Sequence, residues 1–268
     1  MTTGVVLDCG DGCTTASAIY EGYSVANATQ RMDLGGRDVT AYLMQLLRRA
    51  GYNLHTSSEF EIVRNIKEKF CLVEHISTAT QSGASGLSLQ TSGGFDSRLG
   101  GASKDKDIFD NSRAAGGLKG KDSGLGGGEK GDRQGELQSY ILPDGQTIKI
   151  GNEKRVAPEI LFRPELIGLE YPGIHDMVLN CINKCDIDLR RALYGSIVVA
   201  GSTTLMRDFC DRLHKQIAQV KKDVKPTLIA PNNRHYSCWV GGATVSSLKA
   251  FGKMWMTKKQ FEEDGRIF

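Results

Sequence analysis

Thr2-Thr3-Gly4-Val5-Val6-Leu7-Asp8-Cys9-Gly10-Asp11-Gly12-Cys13-Thr14 opens the chain and sets an apolar run against a dense polar turn. Val5-Val6-Leu7 reads as a strand. Asp8 to Gly12 reads as a turn, and Thr14 to Tyr20 as the returning strand. Asp-Gly between two such runs is a strong hairpin signal. Two glycines let backbone approach a ligand closely, and successive N–H groups in such a turn form a nest suited to anionic oxygens. Asp8, at the strand end, is placed to reach a magnesium ion through water, because magnesium keeps much of its hydration shell. From these residues alone, a plain hairpin turn with aspartates as turn residues stays open.

Outward from this hairpin, apolar residues Val39, Tyr42, Leu43, Leu46, Leu47 and Ala50 recur at helical spacing. They predict a helix over 38–50, capped by Asp38 and closed by Gly51. A second helix is expected over 59–70, started by a Ser58/Glu61 capping box, with Phe60, Val63, Ile66 and Phe70 turned inward. A hairpin follows at 140–150 on Pro143-Asp144-Gly145. Helices are expected at 174–184 and at 187–194, the latter capped by Asp186. Ile197-Val198-Val199-Ala200 has the unbroken apolar pattern of a central strand. It runs through Gly201-Ser202-Thr203-Thr204 toward a helix expected over 205–219, and such a turn favours negative charge or close backbone approach. Leu228-Ile229-Ala230 reads as a short strand. Residues 239–255 read as mostly helical, and Gly241-Gly242 as a point of tight packing. Thr257 with Gln260 caps a last helix. Strands and helices alternate, so the class is α/β, with helices on a mixed sheet.

Residues 82–137 differ in texture. They hold nearly half of the 32 glycines and few large apolar residues. Such a stretch cannot bury enough surface to offset its chain entropy, so it is expected to be a disordered insertion between two core segments, 1–81 and 138–268. Loop closure costs only about 0.6 kcal/mol per doubling of length, which a fold tolerates.

A net charge of +3 with scattered basic residues gives no reason to expect nucleic acid. Lys221, Lys222 and Lys225 read as a solvated loop. No apolar run approaches the ~18 residues of a membrane span, and the start lacks a signal-peptide pattern. Seven scattered cysteines fit reduced thiols in a cytosolic or nuclear setting. Cys181 and Cys185 share a helix face, but no second pair completes a metal set. No Gly-x-Ser-x-Gly or Walker lysine loop occurs, so no catalytic residue is assigned. The first strand begins almost at residue 1 and leads directly into the polar loop, which predicts that further chain normally precedes it.

Taken together, the segments resemble actin and its relatives. The resemblance rests on Thr2 to Gly12, Ile19-Tyr20-Glu21-Gly22-Tyr23, Asp33-Leu34-Gly35-Gly36-Arg37-Asp38 and Glu61-Ile62-Val63-Arg64-Asn65-Ile66-Lys67-Glu68-Lys69. It continues in Leu142-Pro143-Asp144-Gly145, Gly201-Ser202-Thr203-Thr204, Tyr236-Ser237-Cys238-Trp239-Val240-Gly241-Gly242 and Met254-Trp255. Within the family, Ser57 to Val63, Phe162 to Gly168, Asp188-Leu189-Arg190-Arg191 and Lys258 to Gly265 look most like centractin, the actin-related filament subunit of dynactin.

The resemblance implies the C-terminal part of a two-domain fold hinged around ATP or ADP and Mg2+, with most of the first domain missing. By it, Asp8 holds the metal's water shell, and Gly10, Asp11, Gly12 and Cys13 clasp the phosphates. Gly36 lies near the ribose, and Arg64, Lys67 and Glu68 line the adenosine pocket. Gly201, Ser202, Thr203, Leu205 and Met206 form the turn beneath the nucleotide, and His235 stands where actin has a lysine beside the adenine. Departures from the family pattern are Thr15 where a histidine orders the hydrolytic water, Ser202 in place of a second glycine, and Arg207-Asp208 in place of Pro-Gly. The implied role is a cytoplasmic, cytoskeletal filament subunit. Its partners would be other actin-like subunits and dynactin-type proteins, and its nucleotide a structural ligand. An ATP-dependent phosphotransferase or chaperone-type ATPase of the same superfamily, and a truncated non-binding product, are the alternatives.

Overall fold

Val5, Leu7 and Cys9 alternate with less buried neighbours along β1 (Gly4–Cys9), as a half-buried strand requires. The computed structural model describes residues 2–74, 137–221 and 224–264. The insertion expected at 82–137 therefore lies outside the described residues but for Leu137, and Lys222 lies outside them too. All described residues belong to one unit made of 1–76 and 135–268.

β1 pairs antiparallel with β2 (Thr14–Tyr20), with Cys9 opposite Thr14, so the predicted hairpin forms around residues 10–13. β3 (Tyr23–Ser24) and β4 (Gln30–Met32) both add antiparallel to β2. Helices α1 (Gly36–Arg49) and α2 (Ser57–Phe70) follow and pack on each other. After the hairpin β5 (Gln138–Ile141) and β6 (Thr147–Ile150) come α3 (Glu153–Val156), α4 (Ile174–Asn183) and α5 (Ile187–Tyr194). Strand β7 (Ile197–Ala200) lies parallel to β1 on one side and to β8 (Leu228–Ile229) on the other. Helix α6 (Phe209–Val220) connects them, and α7 (Ser237–Ser246) and α8 (Lys258–Asp264) close the described chain. The main sheet runs β3-β2-β1-β7-β8 with β4 also on β2, a mixed sheet with helices packed against it.

The helical periods read from sequence hold where both partners of the packing are present. Val39, Leu43 and Leu47 of α1 are fully buried, as are Val63 and Ile66 of α2. Gly51 follows the end of α1 with φ +98, the left-handed geometry that glycine supplies without strain. Cys181 and Cys185 lie in the core, with Cys185 Sγ donating to the Cys181 carbonyl.

Five details differ from the sequence reading. Helix α1 begins two residues earlier, at Gly36, and Asp38 acts from its third position, accepting from the Gly35 N–H at 2.8 Å. The capping box of α2 is Thr56 with Glu59, not Ser58 with Glu61: Glu59 N donates to Thr56 Oγ1 at 3.2 Å and Thr56 N to Glu59 Oε2 at 2.6 Å. Glu59 Oε2 also accepts from His55 N at 2.6 Å, while Glu61 pairs with Arg64 at 3.0 Å. Asp186 occupies the N-cap of α5, but its side chain makes no capping bond.

The helix expected from 205 starts only at Phe209. Residues 202–205 form a 3-10 turn, Val73 N donates to the Arg207 carbonyl at 2.9 Å, and Asp208 adopts φ +64. The strand-like contact at Arg207 holds the segment extended and delays the helix. Gly241-Gly242 also departs from expectation: a Cβ at either position would meet nothing within 4 Å, and no residue of α7 is buried.

The capping assignment predicts that Thr56→Ala lowers unfolding free energy by about 1 kcal/mol while Ser58→Ala changes it by no more than about 0.3 kcal/mol. Urea denaturation of the two variants checks this, and equal losses would refute it.

Candidate functional site

In the parallel pair β1–β7, Asp8 lies opposite Ala200, so the loops leaving both strands start side by side at the sheet's carboxyl edge. In α/β sheets this edge is where ligands bind.

The loop after β1 is held from behind. The Gly10 carbonyl accepts from Gly36 N at 3.0 Å and from Thr203 Oγ1 at 2.7 Å. The Asp11 carbonyl accepts from Arg37 N at 2.8 Å. Gly10 N closes the turn on the Cys13 carbonyl at 3.0 Å. Among the described residues, the amides of Asp11, Gly12 and Cys13 have no hydrogen-bond partner. The Gly10, Asp11 and Cys13 carbonyls are thus engaged, and three consecutive amide donors remain. Gly12 is exposed, and a Cβ there would meet nothing within 4 Å.

Glycines let the surrounding segments reach this loop. A Cβ on Gly35 would lie 2.4 Å from the Asp11 carbonyl oxygen, and one on Gly36 2.5 Å from Thr203 Oγ1. Gly201 has φ +90, and a Cβ there would lie 2.2 Å from the Cys9 carbonyl oxygen and 2.7 Å from Asp8 Oδ1. Lys67, buried on α2, donates to the Gly36 carbonyl at 2.9 Å. Its burial pushes the ammonium pKa down, and the neighbouring Asp11 carboxylate opposes that shift. Asp11 also pairs with Arg37 at 3.2 Å on the exposed side. Cys9, wholly buried beneath the loop, has its thiol pushed up to about 12 by that burial and accepts from Thr14 Oγ1.

The structure thus gathers Asp8, Gly10, Asp11, Gly12, Cys13, Gly36, Lys67, Gly201 and Thr203 around one loop. Lys67 braces that loop from α2. Arg64 instead pairs with Glu61 at 3.0 Å and Glu68 at 3.8 Å on the solvent side of the same helix. Ser202 is exposed on the 3-10 turn, Leu205 is 44% exposed, and Met206 packs half-buried against the core. His235 is exposed, with its ring 4.0 Å from that of Tyr236.

Sequence reading misses three contributors. Arg234 ties the two turns together: its carbonyl accepts from Gly201 N at 3.1 Å, and its guanidinium donates to Thr204 Oγ1 at 2.9 Å and to the Thr204 carbonyl at 3.0 Å. Gly35 supplies the clearance for the loop, a need its pairing with Gly36 could have signalled. Cys238, at the start of α7, donates its thiol to Asp8 Oδ2 at 3.3 Å across 230 residues, and no local pattern announces that contact.

The fold is thus of the α/β class, a mixed sheet with a hairpin of unpartnered amides and a glycine turn on adjacent strands. The family model described as Actin matches residues 1–268. An "Actin-like protein" of Neurospora crassa is 40% identical over 267 residues, covering 99% of this chain and 59% of that relative. The chain belongs to the actin family, whose members bind nucleotide with a divalent metal. It spans about three-fifths of the length of the curated relative it matches.

Gly201→Ala is expected to lower unfolding free energy by at least about 2 kcal/mol, because positive φ strains any side chain and the added Cβ would overlap the Cys9 carbonyl. Urea denaturation that shows no loss would refute this account of the turn.

Proposed function

We propose that this chain is an actin-related, centractin-like subunit of a cytoplasmic cytoskeletal filament that holds ATP or ADP with Mg2+ as a structural ligand. The observation that supports this reading is the row of unpartnered amides at Asp11, Gly12 and Cys13, with the Gly10 and Asp11 carbonyls tied back. Such a nest attracts a polyphosphate and repels a cation. A phosphate beside the Asp8 carboxylate would be repelled unless a cation lay between them. Magnesium, which binds through carboxylates, phosphate oxygens and retained waters, fits that arrangement. The bound ion would supply charge neutralisation of the phosphates. Asp8 would orient its water shell, Gly10 to Cys13 would grip the phosphates, and the Gly36, Lys67 and Thr203 cluster would keep the grip rigid.

Gly201, Ser202, Thr203, Leu205 and Met206 would floor the site. Arg64, Glu68 and His235 would line its adenosine side, where their exposure leaves them available. Hydrolysis needs a positioned water and charge stabilisation around the transferring phosphoryl group. With Thr15 in place of a histidine and Gly10–Cys13 gripping from one face, this chain alone should release no measurable phosphate from ATP. No helix among the described residues is long and apolar enough to cross a membrane. The partners would be other actin-like subunits and dynactin-type proteins. A pull-down that recovers dynactin-type subunits supports this assembly, and ATP-dependent phosphorylation of a small metabolite would favour the phosphotransferase alternative.

Gly12 offers a discriminating test, because its φ lies outside the left-handed region and its Cβ direction is open. Gly12→Val should leave the thermal midpoint unchanged, yet weaken Mg·ATP binding by about ten-fold or more, the equivalent of about 1.4 kcal/mol. Thermal melts read the first quantity, and titration calorimetry with and without Mg2+ reads the second. Equal affinity of Gly12→Val and wild type would remove the hairpin from the binding site, and robust Mg2+-dependent phosphate release from the pure chain would overturn the structural-ligand reading.

A further inference from the structure

The one side chain that reaches the Asp8 carboxylate among the described residues comes from the far end of the sequence. Cys238 donates its thiol to Asp8 Oδ2 at 3.3 Å. The other carboxylate oxygen, Oδ1, lies against Gly201, where a Cβ would be only 2.7 Å away. The carboxylate is therefore bounded on both sides: by the β7 turn at one oxygen and by the first turn of α7 at the other.

The same segment is fixed to the same turn by backbone. Gly201 N donates to the Arg234 carbonyl, and Arg234 grips Thr204 through two further bonds. A 3-10 turn over Arg234–Tyr236 then leads directly into α7, which presents Cys238. The thiol's place beside Asp8 follows from this clamp and does not depend on burial of α7, which has none.

We propose that Cys238 is a positioning residue for Asp8: its S–H holds one carboxylate rotamer, so that the carboxylate faces the hydrated divalent cation of a bound nucleotide. A thiol suits this task. It is a weak donor, so it orients Oδ2 without the full neutralisation that a lysine or arginine would impose, and the carboxylate keeps its charge for the cation. The inference rests on the nucleotide reading given above and adds the residue that sets the cation's side of that site. It assigns Cys238 no contact with nucleotide and no nucleophilic role.

The experiment compares ATP affinity with Mg2+ and with EDTA in the full chain for wild type, Cys238→Ala and Cys238→Ser. Thermal melts of all three confirm that they fold. Loss of one hydrogen bond to a charged group should cut the Mg2+-dependent gain in affinity about five-fold in Cys238→Ala, with ATP affinity in EDTA unchanged. Cys238→Ser, which keeps an O–H donor, should restore the gain to within about two-fold of wild type. A merely structural role would weaken both conditions together and would not be rescued selectively. If wild type shows Mg2+-dependent binding and Cys238→Ala matches it, the positioning role fails while the nucleotide reading stands. If wild type shows no Mg2+-dependent binding, the nucleotide reading fails and this inference falls with it.

Discussion

The carbonyl of Gly10 is the constraint on which the candidate site depends. It accepts from the first turn of α1 and from Thr203, a residue 193 positions away, at the same time. A backbone acceptor with both lone pairs in use cannot turn toward a ligand. The neighbouring Asp11 carbonyl accepts one bond, from the Arg37 amide. The surroundings therefore hold the Gly10 and Asp11 oxygens, while the amides of Asp11, Gly12 and Cys13 stay unpartnered among the described residues. Removing either anchor would free the peptide planes to rotate, and a nest of donors would become an ordinary turn.

Lys67 shows what this arrangement costs and why it persists. A buried ammonium is disfavoured by desolvation, and its lowered pKa records that penalty. It is retained where its proton satisfies the Gly36 carbonyl and its charge faces Asp11. One side chain thus links α2, the start of α1 and the polar hairpin. Arg64, from the same helix, does the opposite: it stays at the surface, 3.0 Å from Glu61 and 3.8 Å from Glu68.

Features set by neighbours along the chain are legible in the amino-acid sequence. The Asp11-Gly12 hairpin, the buried stripe of α1, the apolar run of β7 and the Thr257/Gln260 cap all follow from short-range rules, and each forms. The α2 cap is misplaced by such rules because two Ser/Thr-x-x-Glu frames overlap at 56–61, and Glu61 of the second is drawn to Arg64. The start of α6 is misplaced because Arg207 is held by Val73, a contact between distant segments. For the site, glycine and aspartate positions are readable because turn chemistry demands them. Arg234 and Cys238 are not, since each acts through a partner that no sequence window contains. The packing inferred for Gly241-Gly242 fails for a different reason. A helix apolar on all sides is usually a buried one, but burial needs a second surface, and none of the described residues supplies it for α7.

That bare stretch has a spectroscopic consequence. Trp239 on α7 and Trp255 just beyond it, the two tryptophans of the chain, are 75% and 66% exposed. No indole sits in the sheet core to dilute their signal. Excited beyond the tyrosine band, the emission is thus a local gauge, whose wavelength reports how much water touches the chain around Trp239 and Trp255.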